Sequence, residues 1–207
     1  MQQQTVHLFV FDGLADWEAS FAIAGINRPA MPQAAGRYRV QTVGITRDTA
    51  TTMGGMRVVP DITLEELDPA GSALLILPGG DAWDAGELTE AMPHVARFLA
   101  AGVPVAAICG ATAGLARAGF LDEVRHTSSA AEYLQATGYR GAAGYQEVGA
   151  VEDGGIITAG ATGSLEFAAQ IFRRLGLYPE EAIDAWYRLF KTGDAAQFAR
   201  LAALAGA

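Results

Sequence analysis

Apolar runs of strand length alternate with stretches of helical periodicity along most of the chain. The run Val6-His7-Leu8-Phe9-Val10-Phe11 predicts a first strand, followed by Asp12-Gly13. Residues 16 to about 27 predict a helix, with Asp16 placed to act as N-cap and Trp17, Phe21 and Ala24 on one face. Residues 38–46 read as a second strand, and residues 51–60, with Gly54-Gly55 inside, as a turn and a short strand. Thr63-Leu64-Glu65-Glu66 has the capping-box form that opens a short helix. Residues 73–77 predict a buried strand ended by Pro78-Gly79-Gly80, and residues 93–101 a helix. A strand then closes at Cys109, and a helix of small residues runs from there to about Phe120. Ser129-Ala130-Ala131-Glu132 predicts a second capping box, for a helix ending near Gly138. Residues 147–151 and 156–158 flank Asp153-Gly154-Gly155 as a hairpin or as two successive strands. A helix over 164–175 follows, and residues 179–190 and 194–204 form a helical tail with Pro179 at an N1 position.

Continuously apolar strands separated by helices indicate a mainly parallel central sheet with helices on both faces, an α/β three-layer sandwich. With no repeat or linker in 207 residues, one domain is the economical reading. The helical tail could pack on this domain or on a second subunit through Trp186, Tyr187, Leu189 and Phe190; packing on its own domain is the commoner use of such a stripe.

Composition narrows the partners. A hydrophobic fraction of 51% with 18% charged residues supports a packed core rather than disorder. A net charge of −9 argues against nucleic acid and against anionic membranes, both of which attract basic surfaces. The single cysteine excludes an intrachain disulfide, and with three dispersed histidines it leaves no zinc site, so no metal or cofactor is expected. The N-terminus lacks a basic signal-peptide region. Residues 98–116 carry only uncharged side chains, but Pro104 and the change of character at Cys109 mark a buried strand plus a helix rather than a membrane span. The expected setting is cytoplasmic.

Cys109 is the leading chemical candidate. A side chain at a strand-to-helix turn is pushed out at the carboxyl end of the sheet, and the amides of the next helical turn point toward it, a setting that lowers a thiol pKa. The competing reading is a small buried hydrophobe. Gly79 and Gly80 allow close backbone approach to a substrate, and their amides with that of Gly110 could form an oxyanion hole; alternatively the glycines merely turn the chain. Glu18 stands amid apolar neighbours, either at the solvent edge or partly buried, where its pKa would rise and it could exchange a proton with a thiol. Of the histidines, His7 belongs to a strand and His94 to a surface helix. His126, in Val124-Arg125-His126-Thr127-Ser128-Ser129, could return to the cysteine from a neighbouring strand end. Dinucleotide, Walker, Gly-x-Ser-x-Gly and His-Glu-x-x-His motifs are absent, and the Gly110 to Gly114 spacing is too loose for a nucleotide site.

Taken together, Asp16-Trp17-Glu18, Leu74-Leu75-Ile76-Leu77-Pro78-Gly79-Gly80, Ala106-Ala107-Ile108-Cys109-Gly110 and Ile156-Ile157-Thr158-Ala159-Gly160 with Leu165-Glu166-Phe167-Ala168 resemble the ThiJ/PfpI superfamily, over residues about 5–176. The resemblance is to bacterial members described as type 1 glutamine amidotransferase-like or intracellular protease/amidase proteins. It implies a flavodoxin-like sandwich, with Cys109 on a nucleophile elbow and Glu18 hydrogen-bonded to its sulfur. It also implies backbone donors at Gly80 and Gly110 and, commonly, a homodimer. Residues 177–207 then form a C-terminal helical extension. The chain departs from protease-like members, which carry histidine directly after the cysteine where this sequence has Gly110. It also lacks the late His-x-Glu pair of amidotransferases, having Ser164-Leu165-Glu166 instead. Peptidase activity and glutamine hydrolysis are therefore not expected. The expected function is a cysteine-dependent enzyme acting on a small electrophile, of hydrolase, amidase or glyoxalase/deglycase type, with Cys109, Glu18 and His126 as catalytic residues. The alternative is a non-enzymatic oxidative-stress sensor or chaperone using the same cysteine.

Overall fold

The computed structural model describes residues 3–206. Its strands are β1 (Gln4–Phe9), β2 (Tyr38–Gly44), β3 (Ala50–Thr51), β4 (Arg57–Val58), β5 (Ile62–Thr63), β6 (Ser72–Leu77), β7 (Val105–Ile108), β8 (Ala150–Asp153) and β9 (Ile156–Ala159). The helices are α1 (Asp16–Asn27), α2 (Asp81–Asp84), α3 (Met92–Ala100), α4 (Gly110–Arg117), α5 (Ala131–Gln135), α6 (Ser164–Arg174), α7 (Glu180–Thr192) and α8 (Ala195–Ala205).

Seven strands lie in the order β5-β2-β1-β6-β7-β9-β8, all parallel except β8, which returns antiparallel to β9 through the turn at Gly154-Gly155. The apolar strands occupy the middle: β7 is buried at every residue and β6 at all but one, because helices cover both faces. One helix layer holds α1, α6 and α7, and the other holds α2, α3 and α4. The chain leaves β1 toward β2 and returns on its other side as β6, so strand order reverses between β1 and β6. A parallel sheet opens a crevice at that point, outside the carboxyl ends of the strands. No helix among the described residues is long and apolar enough to cross a membrane.

Several local expectations are corrected. Asp16 is the first residue of α1, not its cap; Ala15 holds that position, and the Asp16 carboxylate accepts the Gly54 N–H at 2.6 Å instead. The face of α1 turned to the sheet is Glu18, Ala19, Ala22 and Ile26, while Trp17 and Ala24 lie exposed. Ser129 caps nothing: α5 starts after Ala130, leaving the serine hydroxyl to the neighbouring loop. Pro179 is the N-cap of α7 rather than its first residue. The box at Thr63 forms as expected, with Glu66 accepting from the Thr63 N–H at 2.8 Å.

Helix α2, one turn long, escapes a periodicity reading, but it seats Trp83. That indole is buried and donates to Pro78 O at 2.9 Å. It lies so close to α4 that a Cβ at Gly114 would stand 2.6 Å from its ring. Gly114 thus lets the indole rest on the helix, while Gly110 gives room to the Gly80 backbone.

Candidate active site

Three strand ends converge at the crevice. After β1 comes α1 with Glu18, after β6 the Pro78-Gly79-Gly80 turn, and after β7 Cys109. The cysteine backbone has φ 55° and ψ −123°, a left-handed conformation uncommon for any side chain other than glycine. Its neighbours hold it there: Cys109 N–H donates to Ala159 O at 2.9 Å, and Cys109 O accepts from the Thr112 hydroxyl at 2.6 Å. Such a strained, pinned turn aims the thiol out of the strand end.

Gly79 ties the two reacting groups together. Its N–H donates to Glu18 Oε2 at 2.5 Å, and its carbonyl accepts Ala15 N–H at 3.0 Å, so one residue fixes both the carboxylate and the start of its helix. A Cβ there would lie 2.7 Å from Cys109 Cβ, 2.8 Å from Glu18 Oε2 and 2.9 Å from Gly110 N. Gly79→Ala should therefore destabilise the fold by about 1–3 kcal/mol through overpacking. It should also slow alkylation of Cys109 at least tenfold; urea melts and iodoacetamide rates read the two effects separately.

Glu18 is wholly buried. Burial raises its pKa to about 7, against the lowering effects of the Gly79 N–H and the Cys109 thiol. Its Oε1 has no hydrogen-bond partner, and the Cys109 thiol is the neighbouring group that acts on the carboxylate. The thiol in turn is pushed up to about 12, by its own burial first and then by the Glu18 charge and hydrogen bond. The expected lowering of the thiol pKa is thus reversed at rest, although Gly110 N–H and the Ser129 hydroxyl do act in the lowering direction. The pair holds two protons below about pH 7 and one above it, and in that singly protonated state the carboxylate stands ready to receive the thiol proton.

The expected donors divide. Gly79 N–H serves the carboxylate, so it is not available to an oxyanion. Gly110 N–H faces the sulfur, and Gly80 lies against it, since a Cβ on Gly110 would stand 2.8 Å from Gly80 O and 3.2 Å from Gly80 N.

His126 does not join this group as an acid or base. Its ring is buried, with Nδ1 2.8 Å from Val124 O and Nε2 3.0 Å from Tyr139 Oη. A carbonyl only accepts, so Nδ1 carries the proton and Nε2 is spent on the tyrosine. Its segment nevertheless reaches the site two and three residues later, where Ser128 Oγ meets Thr112 Oγ1 at 2.6 Å and Ser129 meets the sulfur. Ser129 Oγ accepts Ala161 N–H at 3.2 Å, which leaves its hydroxyl proton for the thiol. Trp17 donates to Ala161 O at 3.3 Å, tying α1 to the same residue that Ser129 contacts. Ser129 carries no chemical signature in the sequence, since a serine before a helix reads as a cap. The other two histidines lie elsewhere: His7 is paired with the Ser72 hydroxyl in β1, and His94 sits in α3. Among the described residues no cluster of His, Cys, Asp and Glu could hold a metal ion.

Comparison with known proteins places this geometry in a family. The DJ-1/PfpI family profile matches residues 4–174. The Bacillus subtilis (strain 168) protein called Uncharacterized protease YoaZ is 36% identical over 195 residues, covering 93% of each chain. The crystal structure of a thiJ/pfpI family protein from Bacillus anthracis is 36% identical and superposes with a TM-score of 0.90, over 99% of this chain and 98% of that one. A DJ-1 superfamily protein from Agrobacterium tumefaciens is 31% identical with a TM-score of 0.82, over 91% of this chain and 97% of that one.

Proposed function

The chain belongs to the DJ-1/PfpI family, and from that premise we propose that it is a cysteine-dependent enzyme acting on a small electrophile with a carbonyl or nitrile-like carbon. Cys109 is the nucleophile and Glu18 its base. As the sulfur bonds to the electrophilic carbon, the S–H proton passes to Glu18, and the electron pair of the attacked multiple bond moves onto its heteroatom. The Gly110 and Gly80 amides face that developing charge. Burial favours the transfer, since it leaves a neutral carboxyl in the dry interior and moves the negative charge to the amide donors. The observation that carries this reading is a wholly buried carboxylate that accepts Gly79 N–H and, with Cys109, crowds the same glycine.

Relatives bear the name protease, which supports hydrolysis as one form of the chemistry. A peptidase dyad is a poor description of this chain, because Gly110 follows the cysteine and both His126 nitrogens are spent. An oxidant sensor needs a resting thiolate, whereas burial and Glu18 push this thiol up to about 12. The test is a screen of aldehydes, amides, esters and nitriles with intact-mass detection of adducts. The expected result is turnover of at least one class through an adduct mapped to Cys109. Selective, stable oxidation of Cys109 by graded peroxide, with no turnover of any class, would establish the sensor instead.

A further inference from the structure

Helix α1 carries an apolar face, Trp17, Phe21 and Ala24, that the sheet does not use. Helix α7 packs partly against it, with the Trp186 ring 5.0 Å from Phe172 and 6.1 Å from Phe21. Helix α8 then lies on α7, and although its sequence is AAQFARLAALA it buries none of its residues. Between α1, α7 and α8 runs a groove of about 480 Å³, lined by Phe21, Trp186, Leu189, Phe190, Phe198 and Leu201. Phe190 and Phe198 remain 52% and 66% exposed, so the aromatic lining is formed but not filled. Its nearest hydroxyl is already satisfied: Tyr178 Oη donates to Gly25 O at 2.9 Å and accepts Ala30 N–H at 3.1 Å. The one charged lining residue is Arg28, just past the end of α1, and among the described residues it stands in no ion pair.

We infer that this groove binds a fatty acid, its alkyl chain along the aromatic lining and its carboxylate at Arg28. The volume falls in the ~300–1,000 Å³ range of small-ligand pockets. An apolar trough with one arginine in its lining, in no ion pair among the described residues, complements an alkyl chain that ends in one anion. A second copy of this chain is the competing occupant, and sedimentation separates the two. The site is separate from Cys109 and goes beyond the proposed enzyme activity.

The test uses the full chain and 12-bromododecanoate, whose bromine quenches a nearby indole. Quenching should saturate well below the micelle concentration, lose its saturable part in Trp186→Phe and be reversed by dodecanoate. From octanoate to dodecanoate, affinity should tighten up to about fourfold per methylene buried, then level off once the groove is full. Arg28→Gln should weaken dodecanoate about tenfold while leaving 1-dodecanol unchanged. Ala202→Trp, which fills the mouth at an exposed position, should block both ligands; Ala24→Trp serves the same purpose should the first variant not fold. The inference is overturned by an absence of saturable quenching, or by equal loss of acid and alcohol in Arg28→Gln. It is also overturned by sedimentation showing a dimer that Phe198→Asp dissociates, since a second copy then occupies the groove.

Discussion

Replacing Cys109 with alanine is expected to abolish turnover of any substrate the wild-type chain processes, by a factor of at least about 10⁴, because the bond-forming atom is gone and amide donors alone supply only the remainder. Serine should fare no better, since its hydroxyl ionises too weakly for a carboxylate with a pKa of about 7 to activate. The stability of the same series should run the other way. At φ 55° and ψ −123° any side chain is strained, and only glycine relaxes there. Cys109→Gly should therefore be inactive yet more stable than Cys109→Ala, by about 1–3 kcal/mol. Equal stability of the two variants in chemical denaturation would show that the elbow stores no strain. A cysteine at a position that favours glycine is retained for its sulfur.

The second large effect concerns Glu18. Folding raises its pKa from 4.5 to about 7, through burial first, so the native state binds the proton more tightly than the unfolded chain does. Below pH 4.5 both states are protonated and the penalty is absent. Between pH 4.5 and 7 the unfolded chain releases its proton before the native one, so stability falls as pH rises, and above pH 7 the loss is complete. The shift corresponds to about 3 kcal/mol. Glu18→Gln keeps the shape and an acceptor for Gly79 N–H but never ionises. Its melting temperature should exceed that of the wild type by roughly 6–12 °C at pH 8 and match it near pH 4. The same variant should lose about 10²-fold or more in thiol reactivity, the usual worth of a positioned base. Greater stability with lower activity is the signature of a charge held in the interior for chemistry.

The fold was legible because its central strands are buried on both faces and so read as unbroken apolar runs: Leu74 to Leu77 and Val105 to Ile108 needed no partner information. The positions of Cys109, Glu18 and the Pro78-Gly79-Gly80 turn were legible for the same reason, since each follows such a run or begins the next helix. What a backbone group spends its hydrogen bond on was not. Gly79 appeared as an oxyanion donor, and only the folded chain shows its N–H taken by Glu18. His126 was placed in the right segment, but local spacing does not say that its ring turns back to Val124 and Tyr139 while Ser129, three residues on, reaches the sulfur. The direction of the thiol pKa is not readable from the elbow alone, because desolvation and the neighbouring carboxylate outweigh the amide donors. Helix α8 has the pattern of a core helix and buries nothing, a mismatch visible only in three dimensions.

The claim on which the site depends is that Glu18 governs the proton on Cys109. Its most direct test is the rate of Cys109 alkylation by iodoacetamide between pH 5 and 10, in the wild type and in Glu18→Gln. The wild-type rate is expected to rise with an inflection near pH 7, where the carboxylate becomes a base, and the Glu18→Gln rate to be lower and to lack this inflection. An inflection near pH 7 that persists unchanged in Glu18→Gln, or a wild-type profile rising only near the ordinary thiol range of about 8.5, would contradict that claim.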